Sequence, residues 1–394
     1  MSLPQEKLAD AGRILVRGVN WLGDAVMTTP ALMRLREAYP KSHITLLTPE
    51  KLRDLYDSHP AIDEVEIFSK GEGVLSIGRR LKKHRFDLGI VLPNSPRSAM
   101  EVWLSGARTR LGYGGNFRGV LLTKAIARRG DVVEMRKRSI VEINSLIAKN
   151  GPSFKYPVGS HQSLHYLELL GAVGCDVRPV APCLRIADSS VEKFKNKFGL
   201  HTPAGETEAW LGLNPGAEYG PAKRWPEERF ISTAIEVQRK TGCRWLVFGI
   251  KADAALTGRI AAAINQSAIK HAGNPAAINL AGATTLGELC AGLKLCRVVL
   301  TNDSGPMHVA AALGTPVVVP FGSTSPELTG PGLSDRVGKE EVSNRISILR
   351  ADASCAPCFL RECPVDFRCM LQIDDSQAIR AILGHFDKFG GRSA

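Results

Sequence analysis

Val298–Gly322 reads VVLTNDSGPMHVAAALGTPVVVPFG. The fold class follows from this stretch. Val298–Thr301 is a short apolar run rich in β-branched residues, the pattern of a buried strand. Asn302, Asp303, Ser304, Gly305 and Pro306 are turn and helix-start residues. Asp303 or Ser304 suits the cap, and Pro306 suits an early helical position. Met307–Leu313 has a helical pattern closed by Gly314. Pro316–Phe321 is a second buried strand. Strand, helix and strand in so few residues predict a βαβ unit of a parallel sheet.

The same alternation extends in both directions. Arg13–Gly18 is a strand pattern, followed by the turn Asn20–Asp24 and a helical pattern over Ala25–Tyr39. His43–Thr48 and Asp87–Leu92 are further strands, with helical stretches around 50–57, 73–84 and 97–105. Residues 112–119 (GYGGNFRG) are Gly-rich and predict a mobile loop. Residues 138–149 and 161–174 look helical. Pro and polar residues in 175–190 predict an inter-domain boundary. Ala209–Asn214 then restarts the pattern, with Trp245–Gly249 as the next strand and helices expected over Ala252–Ile264 and Leu286–Leu295. A helix opens at Pro226, with Glu227 and Glu228 in its first turn. A last helix is expected near Ser376–Phe389. The prediction is an α/β protein with two successive doubly wound domains, residues 1–183 and 184–394.

Size and composition agree. The 394 residues are enough for two domains, and 44% hydrophobic with 23% charged residues is ordinary for a soluble protein. No apolar run approaches the ~18–20 residues that span a bilayer. The stretch MSLPQEKLADAGRILVRG lacks a signal-peptide core, so a cytoplasmic location is expected. The net charge of +12 is uneven: residues 79–138 hold 15 Lys/Arg against 4 Asp/Glu. Nucleic acid, an anionic membrane or an acidic substrate could match such a surface, as could water alone. No zinc-finger spacing or RNP-like aromatic strand accompanies the charge, which argues against nucleic acid.

Four constellations carry candidate chemistry. Gly23-Asp24 follows the first strand, and ligands of open parallel sheets sit at carboxyl strand ends. A carboxylate there can accept a proton from an attacking hydroxyl, or it can merely cap the helix. Lys223-Arg224-Trp225-Pro226 follows the Gly-rich turn Pro215–Gly220. Lys223 could neutralise a departing diphosphate. The opening stretch offers Asp303, Ser304, Gly305 and His308, the last one helical turn beyond Ser304. Its helix start favours an anion by roughly 0.3–1 kcal/mol, up to ~2 when partly buried. The diphosphate of a nucleotide sugar is the expected occupant; an ordinary capped helix is the alternative. Last, Cys355, Cys358, Cys363 and Cys369 cluster in segment 355–369. They are compatible with tetrahedral zinc, with reduced structural thiols or with redox chemistry. No GxGxxG spacing follows the first strand, so no dinucleotide cofactor is indicated.

Together, several blocks resemble the ADP-heptose:lipopolysaccharide heptosyltransferases of glycosyltransferase family 9. The resemblance runs from about residue 13 to 330. Its carriers are Trp21–Asp24 with Pro30, Leu92–Ser95, Asn214–Pro226 and Thr301–Ala312. The Lys-Arg-Trp-Pro block and Asn-Asp-Ser-Gly resemble the type II members more than type I. The resemblance implies two Rossmann-like domains facing a cleft, the GT-B arrangement, with the acceptor on the first domain and ADP-heptose on the second. It implies inverting transfer without a metal or other cofactor. Asp24 falls at the position of the general base, and Lys223 at the diphosphate-contacting lysine. Gly216, Asp303, Ser304, Gly305 and His308 fall in the donor site, with Asp253 as a ribose-binding acid. Asn94, Ser95 and Arg97 fall on the acceptor side. The implied partners are ADP-heptose, Kdo-lipid A bearing one heptose and the anionic inner face of the inner membrane. Nothing carries over to the cysteine segment, and the last helix could pack back on the first domain.

Overall fold

The computed structural model describes residues 11–115, 117–127, 133–200, 209–267, 275–332 and 344–389. Residues 1–10, most of the stretch read for a leader, and Asn116 of the Gly-rich segment lie outside the described residues. The chain divides into two compact units, 1–133 with 159–185 and 134–158 with 186–394.

The first unit is built on six parallel strands: β1 (Arg13–Arg17), β2 (His43–Pro49), β3 (Glu64–Phe68), β4 (Leu88–Val91), β5 (Thr109–Tyr113) and β6 (Lys124–Ile126). Their order is β3-β2-β1-β4-β5-β6. β1 is flanked by β2 and β4, with Ile14 opposite both Ile44 and Leu88. Its apolar residues are buried, as expected of a central parallel strand. Three helices follow strands: α1 (Leu22–Ala38), α2 (Val74–Lys82) and α3 (Pro96–Leu104). The chain then leaves for α4 (Ile140–Lys149), which belongs to the second unit, and returns for α5 (Gln162–Gly171), which packs on α1. The sequence pattern leaves the whole of 1–183 in the first domain, whereas 134–158 groups with the second unit.

The Gly-rich segment 112–119 is not loop throughout. Gly112 and Tyr113 end β5, and a 3₁₀ turn opens at Arg118. A Cβ on Gly112 would lie 3.2 Å from Leu122, tighter than ordinary contact.

The second unit repeats the design. Its strands are β7 (Trp210–Asn214), β8 (Arg244–Val247), β9 (Ala277–Asn279), β10 (Val299–Thr301), β11 (Val317–Phe321) and β12 (Ile346–Arg350), in the order β12-β11-β10-β7-β8-β9. Helices α6 (Asp188–Phe198), α7 (Glu227–Thr241), α8 (Ala254–Ser267), α9 (Leu286–Leu295) and α10 (Gly305–Ala312) accompany them. Short α11 (Pro326–Thr329) and α12 (Arg368–Leu371) precede the last helix, α13 (Asp375–Lys388). That helix packs on α7 of its own unit. Asp375 accepts from Arg229 at 3.2 Å and from Ser232 at 2.6 Å.

Both sheets have the doubly wound order in which the chain starts in the middle, runs to one edge and then restarts on the other side. Each therefore has one point where adjacent strands send their connections in opposite directions: β1/β4 and β7/β10. Ligands of open α/β sheets bind in the crevice at that point.

One buried ion pair fixes the first of these points. Arg17, the last residue of β1, donates its Nε to Glu101 of α3 at 2.6 Å, and both side chains are almost fully buried. Arg97 holds the other oxygen of Glu101 at 2.9 Å. Removing one partner leaves an uncompensated buried charge, which costs about 3–5 kcal/mol. Glu101→Ala is expected to lose that much stability in urea denaturation. A loss below about 1 kcal/mol would show that the pair does not hold β1 to α3.

Candidate functional site

In the first unit, the turn after β1 is shaped by Arg17. Its Nη1 donates to Asn20 Oδ1 at 3.0 Å. Helix α1 then begins at Leu22, with Trp21 as its N-cap residue and no side-chain cap bond there. Asp24 is thus inside the first turn and is not the cap. A carboxylate in that position is favoured by the helix dipole. Asp24 is half-buried, and its charge reaches the buried Tyr166 hydroxyl. That hydroxyl is raised above its ordinary range first by burial and then by Asp24.

Across the same switch point, the residues after β4 are tied into the fold. Asn94 Oδ1 accepts from Arg118 Nη2 at 2.7 Å. Ser95 caps α3, its Oγ accepting from the Ser98 amide at 3.2 Å. Arg97 is bound to Glu101 and to the carbonyl of Glu72. The three candidate acceptor residues thus lie at one crevice with Asp24. Each also has a structural bond that a ligand would have to share.

In the second unit, the candidate donor residues converge on the β7/β10 switch. Lys223 closes a short 3₁₀ turn, Pro221–Lys223, and its Nζ lies 2.6 Å from Asp303 Oδ2. The exposures are 14% for Lys223 and 4% for Asp303. The carboxylate is almost fully buried, and the lysine side chain is only slightly more exposed. Thr324 Oγ1 also donates to Asp303 Oδ2. The Lys223 ammonium sits over the Tyr219 ring, 5.0 Å from its centroid.

Two asparagines stitch the crevice. Asn302 Nδ2 donates to Pro215 O at 2.7 Å, and its Oδ1 accepts the Trp225 amide at 3.0 Å. Asn214, the last residue of β7, donates to Thr301 Oγ1 and Ser304 Oγ, both at 3.1 Å. Ser304 is the N-cap residue of α10, but its hydroxyl faces Asn214 and makes no cap bond. Pro306 has no N–H, and the Met307 N–H returns to Ser304 O at 3.2 Å. The amides that remain at this helix start are those of Ser304 and Gly305. His308 is buried on α10.

Asp253 lies in the 3₁₀ turn after β8 and is buried. It accepts from Arg224 at 3.4 Å and from the Ile250 amide at 3.3 Å. Its carboxylate lies against Gly216: a Cβ on Gly216 would stand 2.3 Å from Asp253 Oδ2. Gly216, Asp253, Lys223, Asp303, Ser304 and Gly305 therefore belong to one end of one sheet. Asp303, which the resemblance places in the donor site, pairs with the Lys223 ammonium.

Two residues of this site, Thr324 and Arg361, lie outside the motif blocks, whereas Tyr219 falls within Asn214–Pro226. Thr324 follows β11 in the sheet and reaches Asp303. Tyr219 lies beneath Lys223, and Arg361 lies 5.3 Å from the Tyr219 ring centroid. Only the rule that strand ends carry function points to Thr324. Nothing local points to Arg361.

The match to known proteins follows the same geography. The family model for glycosyltransferase family 9 (heptosyltransferase) matches residues 74–367. The chain belongs to that family. It is a glycosyltransferase. It is 30% identical over 327 residues to lipooligosaccharide heptosyltransferase 2 of Haemophilus ducreyi, covering 81% of this chain and 86% of that protein. It is 31% identical over 326 residues to lipopolysaccharide heptosyltransferase 2 of Escherichia coli K12, covering 81% and 85%. The solved structure of the E. coli ADP-heptose lps heptosyltransferase II superposes with a TM-score of 0.72 at 25% identity, over 95% of this chain and 99% of that one. The two doubly wound domains expected of a family 9 enzyme are thus present.

The tight approach at Gly216 gives a direct test of the donor-side packing. Gly216→Ala is expected to lose about 1–3 kcal/mol through overpacking. Gly151→Ala, with nothing within 4 Å of its added Cβ, should shift thermal unfolding little. Equal behaviour of the two variants would contradict the Gly216–Asp253 contact.

Proposed function

We propose that this glycosyltransferase moves heptose from ADP-heptose to the first heptose of a lipopolysaccharide inner core, Kdo-lipid A bearing one heptose, with inversion at the anomeric carbon. The observation that carries the proposal is the Lys223–Asp303 pair just before α10, 2.6 Å apart and with the carboxylate almost fully buried. A cation held in that way, beside the Ser304 and Gly305 amides, suits a diphosphate. Its setting supports the choice of donor, since the chain is 30–31% identical to heptosyltransferase 2 proteins.

The division of labour follows. The acceptor hydroxyl attacks C1 of the donor heptose while the bond from C1 to the β-phosphate oxygen breaks. Asp24 takes the hydroxyl proton, and ADP leaves with the electron pair of the broken bond. Lys223 offsets the charge that grows on the diphosphate, and Asp303 keeps Lys223 in place. Asp253 is suited to the ribose hydroxyls, because an acid after the second strand of a nucleotide-binding sheet commonly serves that role. His308 is assigned to the donor side through its place on α10. Asn94, Ser95 and Arg97 serve the acceptor.

The acceptor is a phosphorylated, carboxylate-bearing glycolipid, and the excess of 15 basic over 4 acidic residues in 79–138 suits it. Each well-placed Lys or Arg contributes about 1 kcal/mol at an anionic bilayer. Among the described residues, no helix is long and apolar enough to cross a membrane. A peripheral position at the cytoplasmic face of the inner membrane fits both points.

The decisive assay is incubation with ADP-heptose and a one-heptose inner-core acceptor, read by mass. A gain of one heptose is expected, and none with an acceptor lacking the first heptose. Transfer to the unheptosylated acceptor instead would contradict the choice of acceptor. Asp24→Ala should lower turnover about 10²–10⁴-fold with donor affinity little changed. Near-normal turnover would remove Asp24 from the base role. Lys223→Ala removes a charged hydrogen bond, about 1.5–3 kcal/mol, so donor affinity and rate should both fall at least tenfold. Unchanged values would end the diphosphate assignment.

A further inference from the structure

Four of the nine cysteines fall within residues 355–369, and glycosyl transfer uses none of them. In the second unit, Cys355, Cys358, Cys363 and Cys369 all line one cavity, together with Ala222 and Arg368. A backbone donor points at one of the sulfurs: the Phe367 N–H donates to Cys363 Sγ at 3.3 Å. Phe359 and Phe367, in the turns that carry these cysteines, sit in the left-handed region at φ 57° and φ 54°, a conformation that is costly for a bulky side chain and persists where the surroundings demand it.

Backbone N–H donors to sulfur stabilise thiolate, the form that binds metal. Counter-charge is also present. Arg138 donates to Cys355 O at 3.1 Å through Nη1 and to Cys358 O at 3.0 Å through its amide. Arg368 lines the same cavity, with its guanidinium paired to Asp366 at 2.8 Å. Four thiolates around a divalent ion carry a net charge of about −2, which Arg138 offsets in part. A set of four sulfur donors selects zinc or iron.

We propose that Cys355, Cys358, Cys363 and Cys369 bind one thiophilic divalent cation, zinc or ferrous iron, in a structural site that braces the turn before Lys223. The brace is visible in the bonds between the two segments. Ala222 N–H donates to Arg361 O at 2.9 Å, and Tyr219 OH donates to Phe359 O at 2.7 Å. Gly220 lies so close that an added Cβ would stand 2.5 Å from Arg361 O. Residues 359–361, between the second and third cysteines, are thereby joined to residues 219–222.

The sulfurs must close on the ion. Among the described residues, the trio whose donor atoms already lie within 4.8 Å of one another is Glu64, Glu66 and His84. There the carboxylates are taken by His43 at 3.1 Å and Arg80 at 3.1 Å. The cysteine sulfurs stand wider apart, so binding draws them inward to about 2.3 Å from the metal.

The test uses the full chain, purified reduced and without chelator, with zinc and iron measured by mass spectrometry. The expected result is one equivalent of zinc or iron per chain, with these four thiols slow to alkylate and Cys183 fast. Chelation should expose the four thiols and speed amide exchange at Ala222. Adding zinc back anaerobically should reverse both effects. Cys363→Ser and Cys369→Ser should lose the metal, and Cys183→Ser should keep it. The proposal is overturned if the reduced wild-type chain takes up neither metal at micromolar concentration. It is also overturned if the four thiols alkylate as fast with metal as without, or if the purified chain carries a disulfide among them.

Discussion

The Lys223–Asp303 pair is the constraint on which the site depends. Two opposite charges at 2.6 Å, one of them almost fully buried, are stable only if the remaining lone pairs and protons are satisfied. Thr324 supplies one of those bonds, and the Asn302 side chain fixes the chain on both sides of the turn. The lysine is the more exposed partner, at 14% against 4%. A cation whose position is set before the ligand arrives needs little reorganisation to stabilise charge, which is how electrostatic stabilisation gains its strength.

Sheet order explains why these residues meet. Lys223 follows β7, and Asp303 follows β10, 80 residues later in the chain. The two strands are neighbours, with Thr301 opposite Asn214. The same topology in the first unit sets Asp24 after β1 and Asn94 after β4, which are also neighbours. In both units a buried polar contact secures the crevice: Arg17 with Glu101 in one, Asn214 with Thr301 and Ser304 in the other.

Much of this architecture was legible in the sequence. Strands such as Trp210–Asn214 and Val317–Phe321 are continuous apolar runs, the mark of a strand covered on both faces. Helix Leu286–Leu295 was legible to the residue because a Thr-to-Glu capping box announces it. The edge strands were not. Glu64–Phe68 is half-buried and carries two glutamates, and Lys124–Ile126 has only three residues. Short polar edges carry too little pattern to distinguish them from loops. The grouping of 134–158 with the second unit was equally hidden. It depends on distant partners, such as Ser153 with Asp352 at 2.7 Å, which no local pattern encodes. At the site, motif residues could be named, but their mutual use could not. That Asp303 holds Lys223, and that Arg361 backs the turn beneath it, are facts of tertiary contact.

The central claim is that a preset cation in the second unit receives a diphosphate. Calorimetric comparison of ADP with adenosine tests it most directly. ADP should bind at least tenfold more tightly than adenosine to the wild-type chain, and Lys223→Gln should erase most of that difference. Equal binding of the two ligands, or an ADP preference untouched by Lys223→Gln, would contradict the account.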